Sequence, residues 1–149
     1  MEVITINNNS NLCTWLNMKH FENDIQTRLE KVLLKYDLSP VEFSFLHYLY
    51  DQYDAQASLL EIKDSLHLSS AAVSRMAVRL EEKDCKPIVR YHSDDNHKEV
   101  CLKMTSSGIE HFKETFGVVD QTLNELFSSS EFQNLRKEIL NIDTTTKKS

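Results

Sequence analysis

Glycine and proline are nearly missing from this 149-residue chain, with two of each, and that scarcity excludes a fold built on tight turns. A sandwich or barrel of short strands needs turn residues at every reversal, so helices must carry most of the chain. Cysteine is scarce too. Cys13, Cys85 and Cys101 are odd in number and show no paired metal spacing, which argues against a disulfide framework. The histidines, His20, His47, His67, His92, His97 and His111, form no close pair of the kind a zinc-binding helix carries. No phosphate-cradling glycine loop, nucleophile elbow or His-Glu-x-x-His motif occurs, so neither catalysis nor a cofactor is expected. No apolar run approaches the roughly 20 residues of a membrane span. The polar N-terminal stretch, with Asn7-Asn8-Asn9, is unlike a signal peptide. The expected location is the cytoplasm, where thiols stay reduced.

Basic charge is also in short supply. The net charge is -6, which argues against an unspecific nucleic-acid coat. The acidity is uneven. Residues 57–104 carry eight basic and eight acidic side chains, whereas four face eight before them and five face seven after them. The central segment is therefore the one least repelled by phosphate.

What is present is helical periodicity with clear start signals. Leu12, Trp15, Leu16, Phe21, Ile25, Leu29, Val32, Leu33 and Tyr36 recur at helical spacing and predict one long amphipathic helix. Ser39-Pro40-Val41-Glu42 supplies a cap, a first-turn proline and a capping box for a second helix, with Phe43, Leu46, Leu49, Tyr50 and Tyr53 on its stripe. Ser58 and Glu61 open a short helix ending near His67, and Ser69 or Ser70 caps another running to about Asp84. After Pro87, segments 88–92 and 99–104 read as two strands joined by the polar stretch 93–98. Thr105 caps a long helix with Ile109, Phe112, Phe116, Val119, Leu123 and Leu126, and a box at Ser128 and Glu131 opens the last one. The expected fold is mainly α with a small β hairpin: a winged helix-turn-helix lobe over 37–104. Helices at 1–36 and 105–143 are expected to dimerise, because their apolar stripes exceed what so small a core can cover. Residues 144–149 are expected to be a disordered tail.

In the helix after Ser69, Val73, Met76, Ala77 and Leu80 share one face, expected in the core. Ala71, Ser74, Arg75 and Val78 share the other, with Arg79 beside them. Arginine can bond guanine O6 and N7, serine several partners, and alanine or valine a thymine methyl. Arg75 is the candidate base reader, with Ser70 and Ser74, while Arg79 and the helix N-terminus at Ser69, Ser70 and Ala71 are candidates for phosphate. Arg90 in the first strand and His97 and Lys98 at the hairpin tip are the wing candidates. Asp94 and Asp95 beside His97 read as a solvated hairpin rather than a metal site.

These segments resemble the MarR family of bacterial regulators. Leu38-Ser39-Pro40-Val41-Glu42-Phe43 is similar to the family's entry into the second helix, Leu68 to Met76 to its turn and recognition helix, and Leu80-Glu81-Glu82-Lys83-Asp84 to that helix's end. Asp95, Val100, Leu102, Thr105 and Gly108 match its wing and the start of the fifth helix. The resemblance implies a cytoplasmic transcription regulator that binds double-stranded DNA as a homodimer on a pseudo-palindromic operator, controlled by a small ligand or a redox input. Two positions depart from the pattern. His97 replaces the usual wing arginine, and Asp84-Cys85-Lys86-Pro87-Ile88 replaces a glycine and an apolar residue. The resemblance also offers Cys13 as a candidate redox sensor, although the family's tyrosine partners are replaced by Asn17 and Val41. A small aromatic effector could meet Trp15, Tyr48, Tyr50 and Phe112. The alternative function is a protein-interaction module on the same fold that has lost DNA binding and sequesters another regulator.

Overall fold

A computed structural model describes residues 10–93 and 99–142. Its elements are α1 (Asn11–Leu34), α2 (Pro40–Asp51), β1 (Gln56–Ser58), α3 (Leu59–Leu66), α4 (Ser70–Glu81), β2 (Ile88–His92), β3 (Val100–Met104), α5 (Ser106–Phe127) and α6 (Ser130–Leu140). The start signals work as local chemistry. Ser39 Oγ accepts from Glu42 N–H while Glu42 Oε1 accepts from Ser39 N–H, closing the capping box at α2. Ser58, Ser69 and Thr105 each accept from the N–H three residues on, at Glu61, Ala72 and Gly108.

The sheet has three strands in the order β1-β3-β2, where the sequence predicts a two-stranded hairpin. The third strand pairs Ala57 with Leu102, flanked by Gln56 opposite Lys103 and Ser58 opposite Cys101. It follows a turn the sequence does not announce. Gln52 is extended, and Asp54 and Ala55 take φ 56 and 51, so α2 stops at Asp51 and Tyr53 lies 93% exposed instead of on the helix stripe. Likewise α4 stops at Glu81, short of Asp84. Ser129, not Ser128, caps α6, accepting from Phe132 N–H, while Ser128 closes α5.

One core joins the lobe to the flanking helices. Leu33 from α1, Phe45, Leu46 and Leu49 from α2, Ile62 from α3, Leu80 from α4, Leu102 from β3 and Phe112 from α5 are almost wholly buried in it. Phe21, Phe127 and Phe132 form a second cluster joining α1, α5 and α6, with ring centroids 4.9–6.0 Å apart. The stripe of α1 is only partly covered: Leu12, Trp15 and Leu16 are 55%, 52% and 42% exposed. Among the described residues, no helix is long and apolar enough to cross a membrane.

Candidate nucleic-acid interface

The helix-turn-helix is built from α3 and α4. α3 ends where His67 takes φ 55 and its N–H reaches Lys63 O; Ser69 then starts α4. The reversal is compact because a left-handed residue and a cap stand two positions apart. Val73, Met76, Ala77 and Leu80 are 0–4% exposed, which fixes the rotation of α4. Ala71, Ser74, Arg75, Val78 and Arg79 therefore face outward, all exposed, with Ser69 and Ser70 exposed at the helix start. This is the face the sequence predicts.

Charge partners separate the arginines. Arg28, Arg90, Lys83 and Lys103 are all in ion pairs. Among the described residues, Arg75 and Arg79 are in none, so both guanidinium groups keep their charge for an incoming anion. Arg90 is different. Its Nε and Nη2 donate to Glu81 Oε1 at 3.1 and 2.7 Å, tying β2 to the end of α4 and compensating its charge within the subunit. The hairpin is closed at its base by Ser93 N–H to Glu99 O at 3.2 Å. His97 and Lys98, with Asp94 and Asp95, lie outside the described residues.

Behind the wing, Tyr91 stands directly opposite Cys101 in the β2–β3 register and donates its hydroxyl to Gln56. Burial, then the Glu99 charge, pushes the Cys101 thiol up. Burial, then the neighbouring Cys101, does the same to Tyr91. Cys101 is therefore held as an unreactive thiol. Cys13 sits half-buried in the first turn of α1, its N–H donated to Ser10 Oγ at 3.2 Å. Asn17, one turn on, donates to Glu138 at 3.1 Å.

Of the four aromatic residues predicted around an effector, the structure brings two together. Tyr50 and Phe112 have centroids 4.9 Å apart and line a cavity of about 250 Å³ with His47, Asp51, Lys113 and Phe116. Tyr48 packs on the core. Trp15 lies on the exposed half of α1 beneath Lys19 Nζ, 4.6 Å from its ring centroid. Sequence reasoning missed His47, Lys113 and Phe116. Of these, only Phe116 carried a signal, its place on the α5 stripe beside Phe112.

Comparison with known proteins fits this geometry. Residues 38–100 match the sequence profile of the MarR family. A comparison with curated protein sequences finds no match. Among solved structures, the chain is similar to AbsC, a MarR family transcriptional regulator from Streptomyces coelicolor, with a TM-score of 0.75 at 14% identity over 95% of this chain and 94% of that one. It is similar to MepR of S. aureus in its DNA complex, with a TM-score of 0.68 at 22% identity over 83% and 90% of the two chains. A variant of E. coli MarR complexed with operator DNA gives 0.70 at 18% identity over 91% and 96%. Residues 38–100 thus match the MarR family, and the fold of the chain is similar to folds solved for proteins of that family.

Proposed function

We propose that this protein is a sequence-specific double-stranded DNA-binding transcriptional regulator, acting as a homodimer on a pseudo-palindromic operator. One observation carries the reading: α4 turns Ala71, Ser74, Arg75, Val78 and Arg79 outward, and its two arginines are in no ion pair among the described residues. The small residues at its start let the helix approach a major groove closely. Arg75, in the middle of that face, is set to bond a guanine edge, and Ser70 and Ser74 flank it. Arg79, one turn further on, is set to meet phosphate, as is the helix N-terminus at Ser69 to Ala71; His97 and Lys98, outside the described residues, are proposed as backbone contacts from the sequence alone. Arg90 takes a supporting part, since its charge is engaged by Glu81. Two similar folds, MepR and the E. coli MarR variant, were solved with DNA, which supports the DNA-binding reading. The cavity between α2 and α5, walled by Tyr50, Phe112 and Phe116, is the proposed place for a small aromatic effector.

Selection of bound fragments from random duplex DNA tests the reading, followed by affinity measurements over a range of salt. A twofold-symmetric site with half-sites about 34 Å apart is expected, together with a steep fall in affinity as salt rises. Arg75→Ala should cost about 1–3 kcal/mol and relax the preference at one base position, while Arg79→Ala should weaken all sequences alike and lower the salt slope by about one. Failure to enrich any duplex, with another protein co-purifying, would support the interaction-module reading instead.

A further inference from the structure

The end of α4 is tied at one lysine to the elbow where α1, which with α5 and α6 forms the stem of the molecule, meets α2. Lys83 lies just beyond the Glu82 C-cap of α4, and only 13% of its side chain is exposed. Its ammonium donates to the backbone carbonyl of Asp37 and stands 3.3 Å from Asp37 Oδ2 and 3.7 Å from Glu42 Oε2. Asp37 belongs to the connection between α1 and α2 and Glu42 to the first turn of α2, and the backbone of the one and the side chain of the other are held by separate bonds. Asp37 takes φ 55 in a turn closed by Tyr36 and Leu38 N–H groups on Leu33 O, at 2.9 and 3.2 Å. Glu42 is 7% exposed, and its other oxygen is held by Ser39 N–H.

We infer that Lys83 is a positioning residue that sets how far apart the two recognition helices of a dimer lie, and so which half-site spacing is accepted. This rests on the proposal that α4 enters DNA. The inner face of α4 is held by apolar packing, which settles which side faces outward but is non-directional and does not by itself tie the end of the helix to the α1–α2 elbow. The Lys83 tie is directional and spans 46 residues of sequence. Among the described residues, no other ion pair joins α4 or the turn after it to the α1–α2 elbow. The Arg90–Glu81 pair links α4 to β2 inside the lobe and does not reach the α1–α2 elbow. α1 carries exposed Leu12, Trp15 and Leu16 at its far end, so the angle at the elbow translates stem geometry into the placement of α4. The burial of Lys83 and its engaged ammonium keep it from serving as a phosphate contact.

The test uses the full chain, the selected duplex, and the same duplex with one base pair inserted at its centre. The insertion moves the half-sites by about 3.4 Å and turns them by about a tenth of a turn, so the wild type should lose about tenfold or more in affinity. In Lys83→Met the penalty should shrink to about threefold or less, as the separation of the helices broadens. Its salt slope should stay unchanged, whereas loss of a phosphate contact would lower it by about 0.9. Lys83→Arg should restore the penalty. If Lys83→Met melts too low to assay, Glu42→Gln is read the same way, since it keeps the acceptor for Ser39 and removes the charge. A wild-type penalty persisting in the assayed variant overturns the inference, even if overall affinity falls, and so does a lowered salt slope. If the wild type binds no duplex, the DNA reading falls and takes this inference with it; if the wild type binds and the variant matches it, only this inference falls.

Discussion

Two glycines of α5 predict opposite responses to alanine. At Gly108 a Cβ would stand 2.7 Å from Pro87 Cα and 2.8 Å from its carbonyl carbon. Both are backbone atoms, pinned where Thr105 N–H bonds Pro87 O at 3.0 Å. Gly108→Ala should destabilise the fold by about 1–3 kcal/mol, the usual range for overpacking. At Gly117 a Cβ meets nothing within 4 Å, so Gly117→Ala should stabilise by about 0.5–1 kcal/mol through the backbone alone. Urea denaturation of the two variants reads both signs, and a loss at Gly117 would mean that a partner helix is seated on it. Cys101 adds a pH dependence. Its thiol and the Tyr91 hydroxyl are both raised in the fold, mainly by burial, so the unfolded chain gives up these protons first as pH rises. Their stabilising contribution is complete below the ordinary thiol value of 9.0 and is lost as pH climbs through the folded values. Cys101→Val should therefore lose less stability than the wild type between neutral pH and pH just above the thiol range. Equal losses would show that the thiol does not carry the effect.

At the scale of elements, the turn after α4 is the informative one. Lys86 takes φ 43, a conformation that costs an L-residue about 1–2 kcal/mol, within the stretch 84–88 that stands in place of a glycine and an apolar residue in the MarR-like pattern. The turn is held by bonds to the start of α5: Thr105 Oγ1 donates to Lys86 O and Ser107 Oγ to Cys85 O, each at 2.8 Å. Replacing Lys86 by glycine removes the strain and adds unfolded-state entropy, so Lys86→Gly should be stabilising by about 0.5–1 kcal/mol, where glycine ordinarily costs that much. A lowered urea midpoint would show that the turn is unstrained. Elements with local causes were legible in the sequence. Ser39, Pro40 and Glu42 specify the start of α2 by contacts within one turn. The period of Val73, Met76, Ala77 and Leu80 determines which face of α4 is outward, and with it most of the candidate site. Elements with distant causes were not. β1 is three residues long, too short for an alternating pattern, and owes its form to pairing with Leu102. The end of α2 depends on left-handed Asp54 and Ala55, where no glycine signals a turn. The Lys83 and Arg90 ion pairs join segments whose adjacency only the tertiary fold decides.

For the whole molecule, the uncovered half of α1 poses the energetic question. Leu12, Trp15 and Leu16 lie on the N-terminal part of the helix, and Phe127, Ile139 and Leu140 are exposed on the helices that pack against it. Leaving such side chains in water forfeits about 1.5–3 kcal/mol for each that could be fully buried. A twofold partner could recover much of this over about 800 Å² of each subunit. The chain has one tryptophan, and it sits in this patch, so its emission reports on the contact directly. At micromolar concentration Trp15 should emit as a buried indole, shifting to the red on dilution as the pair separates. Sedimentation should follow the same midpoint. Leu16→Glu places a carboxylate in the patch and should give a monomer with unchanged far-ultraviolet dichroism, because Leu16 is 42% exposed within its own subunit. That monomer would keep the outward face of α4 intact and still lose operator affinity by about 100-fold or more, since linked half-sites bind with an effective concentration that separate lobes lack. A wild-type chain that sediments as a monomer at micromolar concentration, with Trp15 emission independent of dilution, would remove the twofold symmetry that the proposed operator recognition requires.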